Sequence, residues 1–227
     1  MNPTPGSAII EYLRSVDSPT LSNAVEKLQI RPRDQGFTPL QVRCLFPELG
    51  RLCGCAIPAQ VETVTQMHST EERKFLELLK AVEDSPKPAV VAFQEIGGHG
   101  DYAAHCGEVM ATAFTRLGAV GLVTDGGVRD VPEVRALRFH YFARGTVASH
   151  AHFKIVRVGL PIQILGLEIQ PGDLLHGDEN GLINIPAAAL ENIERAVEQV
   201  RTRERRLMEF MRGPEFSVKK LKRRFIE

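Results

Sequence analysis

The chain of 227 residues lacks most of the signatures that announce a function. It has no net charge, because Lys+Arg and Asp+Glu balance at 28 each. No global field therefore selects nucleic acid or an anionic membrane. No apolar run approaches the roughly 20 residues of a membrane-spanning helix, and Met1-Asn2-Pro3-Thr4-Pro5 has none of the basic-then-apolar pattern of a signal peptide. A cytoplasmic location is expected. The four cysteines, Cys44, Cys53, Cys55 and Cys106, contain no C-x-x-C pair and no framework spacing. Free reduced thiols are the expectation, with Cys53 and Cys55 as core side chains rather than a metal or redox element.

Nucleotide and hydrolase motifs are missing too. Gly97-Gly98-His99-Gly100 fails the G-x-G-x-x-G spacing, and no acid follows at the ribose position. That excludes a Rossmann site and with it a methyltransferase using S-adenosylmethionine. There is no P-loop and no G-x-S-x-G elbow. Seven histidines give no zinc site, because His150-x-His152 can share a strand face but no third ligand is suggested nearby. His99 and His105, in or beside the glycine-rich loop, are better placed for substrate contact, and His140 and His176 read as structural.

What is present fits one domain over residues 1–227: 43% apolar and 25% charged residues are ordinary for a globular protein. Residues 1–50 read as a helical and loop-rich extension. Ser7 to Ser15 and Ser18 to Leu28 are expected helices, the second with Leu21, Ala24, Val25 and Leu28 at helical spacing. Cys55 to Val64 reads as a strand and Glu71 to Val82 as an amphipathic helix. Ala89-Val90-Val91-Ala92 is a buried strand, followed by a helix from about Gly107 to Leu117, a strand over Val120–Thr124 and a helix over Val131–Leu137. Short strands follow at Tyr141–Ala143, Phe153–Val158, Ile162–Leu165, Leu174–His176 and Leu182–Ile185. Pro186-Ala187 opens a C-terminal helix that ends in a basic tail over 186–227. Alternating β and α units followed by an antiparallel β run predict a mixed α/β sandwich.

The chemistry concentrates in Gly107-Glu108 and Arg129-Asp130. The chain between them reads as helix, strand and the turn Asp125-Gly126-Gly127, so both ends are expected at one sheet edge. Two carboxylates and a guanidinium gathered there would hold a divalent cation beside an oxyanion. Each residue also has a plainer reading. Glu108 in a first helical turn complements the helix dipole, and Asp130-Val131-Pro132-Glu133 has the form of a capping box. Glu204 falls on the apolar stripe Ile193, Val197, Val200, Leu207 and Met211. Either the helix has left the body by then, or it carries this acid to a neighbouring subunit.

The runs Gly107 to Ala113 and Gly118-Ala119-Val120-Gly121-Leu122-Val123-Thr124-Asp125-Gly126-Gly127-Val128-Arg129-Asp130 resemble the RraA-like family, which includes 4-hydroxy-4-methyl-2-oxoglutarate/4-carboxy-4-hydroxy-2-oxoadipate aldolases. Pro171-Gly172-Asp173 and Gly177 to Ile183 agree with it. The resemblance implies an α-β-β-α sandwich of the swivelling β/β/α type and a homotrimeric ring, stacked or not into a hexamer, with sites between subunits. It implies a class II aldolase that releases pyruvate with Mg²⁺ or Mn²⁺ and also decarboxylates oxaloacetate. Asp130 then matches the acid anchoring the metal, and Glu108 the acid holding the metal's waters. Arg129 matches the arginine on the pyruvyl oxygens, and the amides of Gly107, Glu108, Val109 and Met110 match the carboxylate cradle. Glu204, or Glu198 as its substitute, matches the acid from the neighbouring subunit. The alternative that the resemblance leaves is a non-enzymatic regulator of ribonuclease activity that acts by protein–protein binding. Glu108, Arg129 and Asp130 together argue for the enzyme. The basic tail reads as solvated, not as a nucleic-acid contact.

Overall fold

A computed structural model describes residues 6–64 and 72–225. Helices α1 (Ser7–Arg14) and α2 (Ser18–Lys27) lead into β1 (Arg43–Cys44) and the long strand β2 (Leu52–Val64). Then come α3 (Glu72–Asp84), β3 (Ala89–Glu95), α4 (Glu108–Arg116), β4 (Ala119–Thr124), β5 (Gly127–Val128), α5 (Val131–Ala136), β6 (His140–Ala143) and β7 (Gly145–Thr146). The last third holds β8 (His152–Val158), β9 (Ile162–Ile164), β10 (Leu167–Ile169), β11 (Leu174–Asp178), β12 (Gly181–Ile185), α6 (Ile193–Arg212) and α7 (Val218–Phe225). The expected start of α3 at Glu71 lies outside the described residues.

The main sheet runs β1-β6-β4-β3-β2-β11-β12, with β8 also on β2. Its centre is parallel, β2 with β3, β3 with β4 and β4 with β6. The flanks are antiparallel, so the class is mixed α/β, as the sequence predicts. Residues of β3 alternate between two apolar layers, which explains a run without polar alternation. Ala89, Val91 and Phe93 join a core with Phe114, Phe139 and Tyr141 under α3, α4 and α5. Val90 and Ala92 face the layer beneath the β9–β10 hairpin. A further cluster packs α1, α2 and α6 onto β11 and β12.

Several strands run longer than expected, with β2 starting at Leu52, β3 ending at Glu95 and β11 ending at Asp178, and two boundaries differ in kind. Leu165 is not in a strand: with φ of 46° it begins a two-residue turn, Gly166 at φ of 98° completes it, and the strand after it was not foreseen. The C-terminal helix does not start at Pro186-Ala187, and the basic tail after it forms a helix of its own. A 3₁₀ turn at Ala187–Ala189 precedes α6, and extended Gly213 before Pro214 ends it. Proline disfavours helical backbone in the residue before it, so α7 forms separately.

Candidate active site

Helix α4 is placed by its apolar face and its ends. Ala111 and Phe114 are buried, and Gly118 with φ of 85° supplies the left-handed residue that stops the helix. The next strand, β4, returns to the edge where α4 began. There the segments 104–106 and 127–129 lie side by side: the His105 amide donates to the Gly127 carbonyl (2.8 Å) and the Arg129 amide to the Cys106 carbonyl (3.0 Å). The two ends of the Gly107…Asp130 stretch therefore meet, as the sequence predicts.

Asp130 does not cap its own helix. Its backbone is left-handed (φ 57°, ψ 46°) and no α5 amide donates to its side chain. Its Oδ2 instead accepts the Glu108 amide at the start of α4, 2.8 Å away. The capping-box reading is thereby corrected. A local sequence pattern shows that a carboxylate caps a helix, not which helix. Left-handed backbone strains a non-glycine residue by about 1–3 kcal/mol, and here it aims a carboxylate at a neighbouring helix dipole. Arg129 Nε lies 3.6 Å from the same Oδ2. Gly107 has an ordinary φ of −138°, but a Cβ on it would collide with Asp130 Oδ2 and come within 3.0 Å of Arg129 Nε.

This uses one member of the expected cradle. The Glu108 amide serves Asp130, while no hydrogen bond among the described residues takes the Val109 or Met110 amide. Val109 is 81% exposed. A guanidinium, a carboxylate and two amides at a helix start thus border one exposed spot, suited to an anionic oxygen ligand. Glu108 is exposed beside them. For a divalent cation the donors on offer are the hard carboxylate oxygens of Asp130 and Glu108. Among the described residues no three His, Cys, Asp or Glu side chains gather as a metal site. Two carboxylates suit Mg²⁺, which keeps several waters and takes one or two protein carboxylates.

Glu204 lies elsewhere in the single chain. It is exposed on α6 beyond Val200, the last buried residue of that helix, and Asn23 Nδ2 donates to its Oε1 at 3.2 Å. Glu198 accepts the Thr202 hydroxyl on the same helix.

His105 is fully buried, which corrects its expected contact with substrate. His99 is exposed. The sequence reading passed over Glu95, Thr63 and Thr124, the polar residues at strand ends around His105. A run of apolar strands each closing on one Thr or Glu was the available signal.

Several buried groups titrate away from their usual range. Burial would raise Glu95, but hydrogen bonds from His105, the Thr63 amide and hydroxyl, and the Gly97 amide hold it at about 2. Burial pushes Asp125 up to about 6. It pushes His140 and His176 down to about 4, so the expectation that both are structural fits their buried positions. Between about pH 5 and 6, above the range in which Glu95 protonates in the unfolded chain, the unfolded chain binds two imidazole protons that the fold excludes. The fold binds one proton, on Asp125, that the unfolded chain releases. One extra proton on the unfolded side makes stability fall as pH drops through this window, by about 1 kcal/mol per pH unit. Urea unfolding midpoints between about pH 5 and 6 should show this slope, and His140→Gln should bring it close to zero there.

The fold and this edge define an α/β protein with a carboxylate–guanidinium site at a helix start. The model of the RraA-like family, described as Aldolase/RraA, matches residues 18–184, and the chain belongs to that family. A Halalkalibacterium halodurans protein provisionally named 4-hydroxy-4-methyl-2-oxoglutarate aldolase is 37% identical over 121 residues, 52% of this chain and 56% of its own length. The match thus spans little more than half of that relative. An uncharacterised Pseudomonas syringae pv. tomato protein has the same fold, with TM-score 0.74 and 21% identity over 98% of this chain and 96% of its own. Streptomyces coelicolor RraAS2, described as an unusual member of the RNase ES inhibitor RraA family, follows at TM-score 0.68 and 24% identity, covering 92% and 98%. No helix among the described residues is long and apolar enough to cross a membrane.

Proposed function

We propose that the chain is a lyase that cleaves a 4-hydroxy-2-oxo dicarboxylic acid into pyruvate and a second oxo acid, and that it also decarboxylates oxaloacetate. The observation that carries this reading is the convergence of Arg129, the Asp130 carboxylate and the open amides of Val109 and Met110 at one exposed edge. Family membership and the name of the Halalkalibacterium relative support it.

In this scheme the amides at the start of α4 hold the substrate carboxylate. The Arg129 fork bonds the pyruvyl oxygens and stays protonated throughout. Asp130 and Glu108 would hold a Mg²⁺ or Mn²⁺ ion, which when bound withdraws charge from the 2-oxo group. The C3–C4 bond breaks, its electron pair forms the C2–C3 enolate, and the charge on the former carbonyl oxygen meets Arg129. Glu108 orients the water that takes the C4 hydroxyl proton as the new carbonyl forms. Protonation at C3 then gives pyruvate. Oxaloacetate reaches the same enolate by losing CO₂ from C4. Glu204 enters from a neighbouring copy in a trimeric or hexameric ring, consistent with its own exposure and with α6 having no buried residue beyond Val200.

The test is pyruvate release from oxaloacetate and from 4-hydroxy-4-methyl-2-oxoglutarate, with Mg²⁺ and with EDTA. Asp130→Ala serves as control. Release that needs the metal and disappears in the variant is expected. No release from either compound would overturn the reading.

A further inference from the structure

Behind the site lies a polar cluster that the proposed chemistry does not use. His105 and Glu95 face each other at 3.0 Å between Nε2 and Oε2, with side chains 0% and 6% exposed. Glu95 Oε1 accepts the amides of Thr63 (3.0 Å) and Gly97 (2.7 Å), and its Oε2 also accepts the Thr63 hydroxyl (2.8 Å). On the other side of the ring, His105 Nδ1 meets Thr124 Oγ1 at 2.7 Å, and that oxygen accepts the Gly126 amide at 3.1 Å. Both ring nitrogens are thus in hydrogen-bond contact, Nε2 with Glu95 and Nδ1 with the Thr124 hydroxyl. Phe153 stacks on the ring at 5.2 Å. Gly126 packs so closely over it that a Cβ there would collide with the ring.

The cluster joins the ends of β2, β3 and β4 to the turn that carries Arg129 and Asp130. Glu95 reaches that turn a second way, since its own amide donates to Asp125 Oδ1 at 2.8 Å. A buried polar pair yields little net stability compared with an apolar replacement of the same volume. What it does supply is direction, because each bond fixes one atom of the turn.

We propose that His105 is a positioning residue: braced by Glu95, it seats the Gly126–Asp130 turn through Thr124 and through contact with Gly126, and so sets where Arg129 and Asp130 stand. Its kinetic consequence rests on the lyase reading, whereas its structural consequence does not.

Two variants test it. Thr124→Val keeps the shape and the His105–Glu95 pair but removes the oxygen that links the ring to the Gly126 amide. His105→Gln keeps a donor near Glu95 but removes the ring under Gly126. Hydrogen–deuterium exchange is followed across the chain, together with kcat and KM for whichever substrate the parent turns over. The expected result is faster exchange confined to residues 103–110 and 125–131, with kcat down by about ten- to hundredfold and KM within about threefold. Unchanged exchange in those segments, or a uniform rise over the whole chain, would overturn the proposal. So would locally faster exchange with kcat intact. If the parent releases no pyruvate, the lyase reading falls, and the exchange pattern alone decides whether His105 seats the turn.

Discussion

Arg129→Ala should lower kcat for pyruvate release by roughly 10²–10³, the usual loss when one well-placed oxyanion donor is removed. The fold should hardly notice. The Arg129 side chain is 37% exposed and its ion pair with Asp130 is long, at 3.6 Å. Half-exposed pairs of this kind contribute about 0–1 kcal/mol. The bonds that tie this segment to its neighbour, the Arg129 amide on the Cys106 carbonyl, the His105 amide on the Gly127 carbonyl and the Glu108 amide on Asp130, use no Arg129 side-chain atom, and alanine keeps them. Arg129→Lys should recover only a small part of the rate, because an ammonium is a point charge without the planar fork. Steady-state kinetics alongside thermal melts would check both. A variant with near-parent kcat would remove Arg129 from the chemistry.

Gly107→Ala is expected to be nearly as damaging although it adds one methyl group. The backbone there has an ordinary negative φ, so alanine strains nothing in the chain itself. The new Cβ would occupy the space of Asp130 Oδ2 and press on Arg129 Nε. To make room, Asp130 must give up the Glu108 amide, and Arg129 turns away with it. Misplacing reacting groups by about 1 Å costs on the order of 10² in rate. Melting temperature should stay close to the parent's, which separates this outcome from unfolding. Parent-like kinetics in Gly107→Ala would show that Asp130 has slack that the geometry does not suggest.

The central part of the fold was legible because its signals are local and periodic. The apolar run from Ala89 points to β3 directly, and the stripe of Met110, Ala113, Phe114 and Leu117 points to α4. Val109, expected to be buried with that stripe, is 81% exposed at the helix start, and Ala111 is buried instead. The convergence of Gly107 with Asp130 followed from the chain running up one helix and back down one strand between them. The partner of the Asp130 carboxylate was not legible. It depends on a left-handed residue and on two segments lying alongside each other, neither of which a capping pattern encodes. His105 was misjudged for a related reason. A histidine near glycines resembles a ligand contact until Glu95 and Thr124, 10 positions before it and 19 after it, close around the ring. Glu204 was not placed at the site by its stripe, because within one chain it is bonded to Asn23.

The length of β2 bears on how the molecule comes into being. One edge of this strand pairs with β3, only a helix away in sequence. Its other edge waits for β8 and β11, with Leu52 meeting Gly177, 125 positions later. During synthesis the segment carrying Arg129 and Asp130 can assemble early from near neighbours, while a long strand edge beside it stays open. Closing such distant pairs is slow, and an open edge invites pairing with other chains. The nascent protein is therefore most vulnerable to aggregation after its reactive edge has formed and before residue 178 has emerged.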